Sequence, residues 1–161
     1  MPKLNNGLVI DERFDAHNFT KAADCPKVFG MPRVVTGVTI HHWGVDGQGV
    51  HDVRRYLCSD NARQSSAHFV LQHDYVACIV NTDDAAWHAG NAEGNATTIG
   101  IECRPEMSQA DLDTLISLIQ FLESVYGELA IYTHDMWTST ACPGRYKKQL
   151  SEIVRKVNIK K

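Results

Sequence analysis

The 161-residue chain predicts an α/β fold, a central mixed β-sheet of about five strands flanked by helices. Three observations carry this expectation. Short β-branched runs recur along the chain and are interleaved with segments of helical periodicity. One of those segments, 108–126, holds a continuous apolar face over its whole length. No repeat, low-complexity tract or internal linker divides the chain, so one domain over 1–161 is expected, with an N-terminal arm over 1–32.

The arm reads as irregular because Pro2, Pro26, Gly30 and Pro32 interrupt any long element. "RVVTGVTIHHW" (33–43) reads as a strand, β-branched and closed by "GVDGQG". "VHDVRRYLCSD" (50–60) places Val50, Val53, Leu57 and Cys58 at helical spacing. "AHFVLQHDYVACIVN" (67–81) predicts a hairpin turning at His73-Asp74, and "AAWHAGNAEGNA" (85–96) a Gly/Asn-rich loop. "TTIGIECR" (97–104) is a further strand. The 108–126 helix has Ser108 as cap, Asp111 completing a capping box and Gly127 as stop, with Leu112, Leu115, Ile116, Ile119, Leu122 and Tyr126 on its apolar face. "AIYTH" is a last strand, and 145–157 a terminal helix.

Composition narrows the function classes. With 43% hydrophobic and 22% charged residues the chain is globular rather than disordered or fibrous. A formal charge of −3 gives no electrostatic reason to expect nucleic acid or an anionic membrane as partner. No apolar run reaches the roughly 20 residues of a membrane span, so no membrane insertion is expected. "MPKLNNGLVIDERF" lacks the apolar region of a secretory signal, so synthesis in the cytoplasm is expected. The cysteines, Cys25, Cys58, Cys78, Cys103 and Cys142, are odd in number, widely spaced and without a CxxC pair. That pattern disfavours both a disulfide framework and a four-thiolate zinc knot. Most should be small buried hydrophobes; Cys142, ahead of a Pro-Gly turn, is the exception.

Strand alternation then sorts the polar residues. On 33–43, Val38, Ile40 and His42 share one face and Thr39, His41 and Trp43 the other. The Val38/Ile40 face is the better core, which turns His41 to the open side and His42 inward. Read alone, His41 is equally a solvated strand-end histidine. On 97–104, Glu102 joins Thr98, Gly100 and Arg104, opposite Ile99, Ile101 and Cys103. Read alone, Glu102 is also a surface glutamate or a partner for Arg104. His68 suits a hydrogen-bonded core position, and His88 either touches substrate or braces its loop.

Together His41, His134 and Cys142 make a His–His–Cys set with Glu102 as a carboxylate outside it. Two neutral imidazoles and a thiolate suit one zinc ion and leave a fourth corner open, as catalytic sites do. A nearby carboxylate can take a proton from water as it attacks a carbonyl. Metal-assisted amide hydrolysis follows if the segments converge.

The segments "VTIHHWG", "SSAHFVL", "AWHAGN", "TTIGIE" and "HDMWTSTACPG" resemble, in order and spacing, the zinc-dependent N-acetylmuramoyl-L-alanine amidases of type 2. That family shares the peptidoglycan recognition protein fold and includes bacteriophage endolysins. The resemblance covers roughly 33–150. It implies bacterial peptidoglycan as partner and cleavage between the lactyl group of N-acetylmuramic acid and L-alanine. It also implies zinc ligation by His41, His134 and Cys142, and Glu102 as the catalytic glutamate. Trp43, His68 and His88 are candidate substrate contacts.

Two positions depart from the family pattern. Thr140 stands where many members have an oxyanion-stabilising lysine, and brings a hydroxyl without a charge. Ala67 stands where another branch has a catalytic tyrosine, which leaves the base role to Glu102. The leading expectation is a monomeric phage endolysin released through a holin. A cytosolic muropeptide-recycling amidase and a non-catalytic peptidoglycan-binding module are the alternatives. Binding members usually lose a zinc ligand, and all three stand here.

Overall fold

Five strands build the main sheet, in the order β4-β3-β6-β2-β7. They are β2 (Gly37–His42), β3 (Phe69–Gln72), β4 (Tyr75–Cys78), β6 (Thr98–Cys103) and β7 (Ala130–Thr133). β2 runs parallel to both β6 and β7, and β3 is parallel to β6. β4 alone is antiparallel, folded back on β3 at the expected His73-Asp74 turn. The structure is a computed structural model that describes residues 1–159; Lys160 and Lys161, the end of the expected 1–161 unit, lie outside the described residues.

The two sheet faces differ, as the alternation requires. Val38, Ile40, Ile99, Ile101, Cys103 and Leu71 form one buried face. Helix α4 (Gln109–Tyr126) and helix α5 (Leu150–Asn158) cover it through Leu115, Ile119, Leu122, Ile153 and Val157. Each such aliphatic side chain contributes about 1.5–3 kcal/mol on burial. The predicted capping box is present: Ser108 Oγ accepts the Asp111 N–H at 3.1 Å, and Asp111 Oδ2 accepts the Ser108 N–H at 2.8 Å. Leu112 and Tyr126 lie at the margin of the apolar face and are only partly buried. Helix α2 (Val50–Cys58) covers part of the opposite face, where Val50, Val53 and Leu57 pack with Val70 and Ala77.

Several elements differ from expectation. The arm is not irregular throughout. Its β1 (Phe19–Thr20) pairs antiparallel with β5 (Ala85–Ala86), and Cys25–Phe29 form helix α1. Pro26 and Gly30, read as breakers, are the start and stop of that helix: proline sits in its first turn, and Gly30 closes it at φ 77°. The loop 85–96 likewise contains a helix, α3 (Ala92–Thr97), capped where Asn91 Oδ1 accepts the Gly94 N–H at 3.0 Å. The terminal helix is split into a 3-10 segment, Gly144–Gln149, followed by α5.

The strand predicted at 33–43 is shorter, 37–42, because Arg33 is used elsewhere. Its buried guanidinium donates to the carbonyls of Thr82 (2.9 Å), Asn95 (3.1 Å), Ala96 (3.2 Å) and Thr98 (2.9 Å). Burial lowers its pKa to about 10, against the opposing charges of nearby groups that include Asp84 and Asp83. Among the described residues no helix is long and apolar enough to cross a membrane.

Candidate active site

Three adjacent parallel strands, β6, β2 and β7, deliver side chains at their carboxyl ends, where open α/β sheets bind ligands. His41 is the penultimate residue of β2 and pairs in register with Glu102 of β6. Both lie on the sheet face opposite the α4/α5 core. His134 directly follows β7 and opens a 3-10 turn, His134–Met136. That turn is pinned to β2 by Trp137, whose indole N–H donates to Thr39 Oγ1 at 3.0 Å. Cys142 comes from the following loop, where its N–H donates to Thr140 Oγ1 at 3.2 Å.

His41, His134 and Cys142 each present one donor atom, and the three lie within 4.8 Å of one another. Cys142 Sγ is 3.7 Å from His41 Nδ1 and receives the His42 backbone N–H at 3.4 Å. His134 Nδ1 is buried and has no hydrogen-bond partner, while its Nε2 faces the Ala89 carbonyl at 3.2 Å. A buried lone pair with nothing to accept, beside a thiol and a second imidazole, fits a metal cation. Burial holds His41 well below its ordinary pKa, reinforced by His88 and His134, and burial lowers His134 as well. Both imidazoles are thus neutral, the form that ligates. Burial and the Glu102 charge push the Cys142 thiol up, a shift that a bound cation opposes.

These groups line a cleft of about 1190 Å³, together with Trp43, Arg63, Glu102 and Thr140. A second hollow of about 400 Å³, lined by Phe121 and Val125 of α4, contains none of them. The sequence model of the N-acetylmuramoyl-L-alanine amidase family matches residues 31–145, which include all three donors and Glu102. The chain belongs to the N-acetylmuramoyl-L-alanine amidase family. Solved structures share the fold of this amidase at low identity. A mutant endolysin from Bacillus subtilis superposes with a TM-score of 0.76 at 18% identity, over 93% of this chain and 99% of that one. The Staphylococcus aureus hydrolase AmiA, in complex with its ligand, gives 0.73 at 17% identity, over 94% and 84%. The N-acetylmuramoyl-L-alanine amidase LysC from Clostridium intestinale gives 0.65 at 19%, over 98% and 99%. Among curated proteins none matches the chain.

Glu102 borders the cleft, and burial pushes its carboxyl up to about 7, with the Arg63 charge opposing the shift. A carboxyl near neutrality can both take and return a proton. Thr140 is exposed on the rim; its oxygen accepts the Cys142 N–H, which leaves the hydroxyl hydrogen available to donate. Trp43 forms cleft wall, with a buried indole N–H that has no partner.

His68 does not reach the cleft. It is fully buried: Nδ1 accepts the Gly100 N–H at 3.0 Å, and Nε2 donates to the Asp84 carbonyl at 2.9 Å. Burial, aided by the nearby Arg33 charge, lowers its pKa to about 3. Its position is that of a bracket between strands, and the expected substrate contact is corrected accordingly. His88 is also buried, its ring against Gly100, where a Cβ would come within 2.5 Å of His88 Cγ. His42, expected to pack inward, is half-buried at the end of β2, with its ring against Gly144. All five cysteines are free thiols; Cys25 and Cys103 are buried, whereas Cys58, Cys78 and Cys142 are partly accessible.

Among the cleft residues that sequence reasoning missed are Arg63, Asn95 and the α1 pair Val28 and Phe29. Arg63 and α1 sit in loop and arm with no periodic signal. Asn95 lies within the Gly/Asn-rich stretch, where the short cap-and-glycine pattern of α3 was the available clue.

Proposed function

We propose that this amidase is zinc-dependent and of the endolysin type, hydrolysing the amide between the lactyl group of N-acetylmuramic acid and L-alanine during cell-wall lysis. The convergence of His41, His134 and Cys142 within 4.8 Å, on a cleft that also carries Glu102, is the observation that supports it. These three residues would hold the zinc, one ion per chain, and bound zinc supplies Lewis-acid polarisation and a lowered pKa for water. Glu102 takes the proton from the attacking water and returns it to the departing L-alanine nitrogen. Its carboxyl, raised to about 7, suits both transfers at neutral pH. The Thr140 hydroxyl donates to the carbonyl oxygen as negative charge develops there. Trp43 walls the cleft and limits water around the reacting bond. In this reading the chain reaches the wall through a holin-type pore and acts as a monomer.

Digestion of intact sacculi tests the bond. New L-alanine amino termini without new reducing ends are expected, because glycan cleavage uses paired carboxylates flanking the sugar, whereas here a single carboxylate, Glu102, stands in register beside His41 of the cluster. A chelator should abolish release and added zinc should restore it. Reducing ends, or release that survives the chelator, would overturn the assignment.

A further inference from the structure

The loop after β5 approaches both candidate ligand imidazoles from behind. His41 Nε2 lies 2.9 Å from His88 Nδ1, and the next residue, Ala89, offers its carbonyl to His134 Nε2 at 3.2 Å. With Nδ1 of His41 turned to Cys142 and Nδ1 of His134 left without a partner, both ligand-side atoms are Nδ1. Each Nε2 then carries the proton and donates it backwards, one to a ring nitrogen and one to a backbone carbonyl.

The loop is itself tightly held. The single Oδ1 of Asn95 accepts the N–H of His88 at 3.0 Å and of Ala89 at 2.8 Å. Arg33 in turn binds the Asn95 and Ala96 carbonyls. Two glycines make the approach possible. A Cβ on Gly94 would lie 2.6 Å from Ala89 Cβ, and one on Gly100 would lie 2.5 Å from His88 Cγ. Chain from α3 and β6 therefore presses the dipeptide against the cluster.

We propose that His88 is a positioning residue: its Nδ1 accepts the His41 Nε2–H and so fixes His41 as an Nδ1 donor to the metal, while the adjoining Ala89 carbonyl does the same for His134. The proposal rests on the zinc reading above. A ligand imidazole whose far N–H has a fixed acceptor keeps one tautomer and one ring orientation, and loss of such an acceptor typically weakens metal affinity by about 10–100-fold. His88 is thereby moved from the set of substrate contacts to a place behind the metal. Its own Nε2 is buried without a well-aligned partner, so the ring is held by Gly100 and by His41 rather than by a second strong acceptor.

Three substitutions separate the acceptor from the bulk of the ring. In His88→Asn the amide oxygen can occupy the place of Nδ1; in His88→Gln the amide lies further out, near the place of Nε2; His88→Leu fills space without accepting. Zinc dissociation constants from chelator competition are expected to stay near wild type for Asn and to rise roughly 10–100-fold for Gln and Leu. The visible spectrum of cobalt-substituted protein should follow the same order. Imidazole nitrogen NMR of the zinc-loaded wild type gives a second readout that needs no variant to fold, and should find His41 and His134 protonated at Nε2. Equal affinity in all three variants, equal weakening in all three, or His41 protonated at Nδ1 would overturn the proposal. Wild-type protein that takes up no zinc would overturn the zinc reading as well, whereas a flat variant series around a zinc-binding wild type defeats the positioning role alone.

Discussion

Glu102 should weaken the fold that carries it, and removing its charge should reveal by how much. Burial moves its carboxyl from an ordinary 4.5 to about 7. Each pKa unit corresponds to about 1.4 kcal/mol, so keeping this carboxylate ionised in the folded, metal-free protein costs about 3 kcal/mol. The sign follows from proton uptake. Between pH 4.5 and about 7 the folded state holds a proton that the unfolded state has released, so stability falls as pH rises through that window. Above it the full cost is present; below it there is none.

Glu102→Gln has nearly the same shape and cannot ionise. In chelator-treated protein at about pH 8.5 it should therefore be the more stable form by about 3 kcal/mol, a rise in melting temperature of roughly 6–12 °C for a domain of this size. At about pH 4 the two proteins should melt together. Calorimetry or circular dichroism across that range checks the window as well as the magnitude. Adding zinc should shrink the difference at high pH, because a nearby cation favours the carboxylate. A variant that is less stable than wild type at pH 8.5, or equally displaced at both pH values, would show that Glu102 is held by partners rather than forced to ionise against burial.

The same substitution should slow amide hydrolysis by roughly 10²–10⁴-fold while leaving zinc content intact, measured as turnover against metal analysis. Thr140→Ala should cost less than that, since it removes a neutral donor and leaves the charge of the bound cation in place. Elemental analysis should find zinc lost in Cys142→Ser and His41→Ala but retained in His42→Ala, whose ring packs against Gly144. Zinc lost only in the His42 variant would reverse the assignment of faces.

Much of this arrangement is legible in two strands. Alternation along 37–42 and 98–103 separates His41 and Glu102 from Val38, Ile40, Ile99 and Ile101, and the parallel register then sets His41 directly beside Glu102. The face rule works because α4 and α5 bury one side of the sheet in a continuous apolar cluster, whereas the other side is shared between a smaller cluster under α2 and the cleft. The α4 helix is equally readable, since its cap, apolar face and stop are local features. What escapes the sequence depends on distance. Arg33 looks like the first residue of a strand until Thr82 and Asn95 arrive with carbonyls from elsewhere in the chain. His68 and His88 look alike as isolated histidines, and only the closeness of Gly100 to both shows that both are buried, His68 behind the cleft and His88 at its wall. The short α1 and α3 fall below the length at which periodicity can be counted.

The uneven distribution of unsatisfied groups ties the fold to the site. Buried polar atoms without partners cost about 1–3 kcal/mol each, and folded proteins keep few of them. Among the described residues there are four side-chain atoms of this kind: Trp43 Nε1, His88 Nε2, His134 Nδ1 and Glu106 Oε1. The first three belong to cleft residues, away from the apolar face covered by α4 and α5. That apolar face, with Leu115, Leu118 and Ile119 fully buried, supplies the stability against which the other face can hold its imidazoles dry and ready to ligate. A metal bound by His41, His134 and Cys142 relieves the cost at His134 directly. Binding should therefore stabilise the fold most at the carboxyl ends of β2, β6 and β7, where the cost is concentrated.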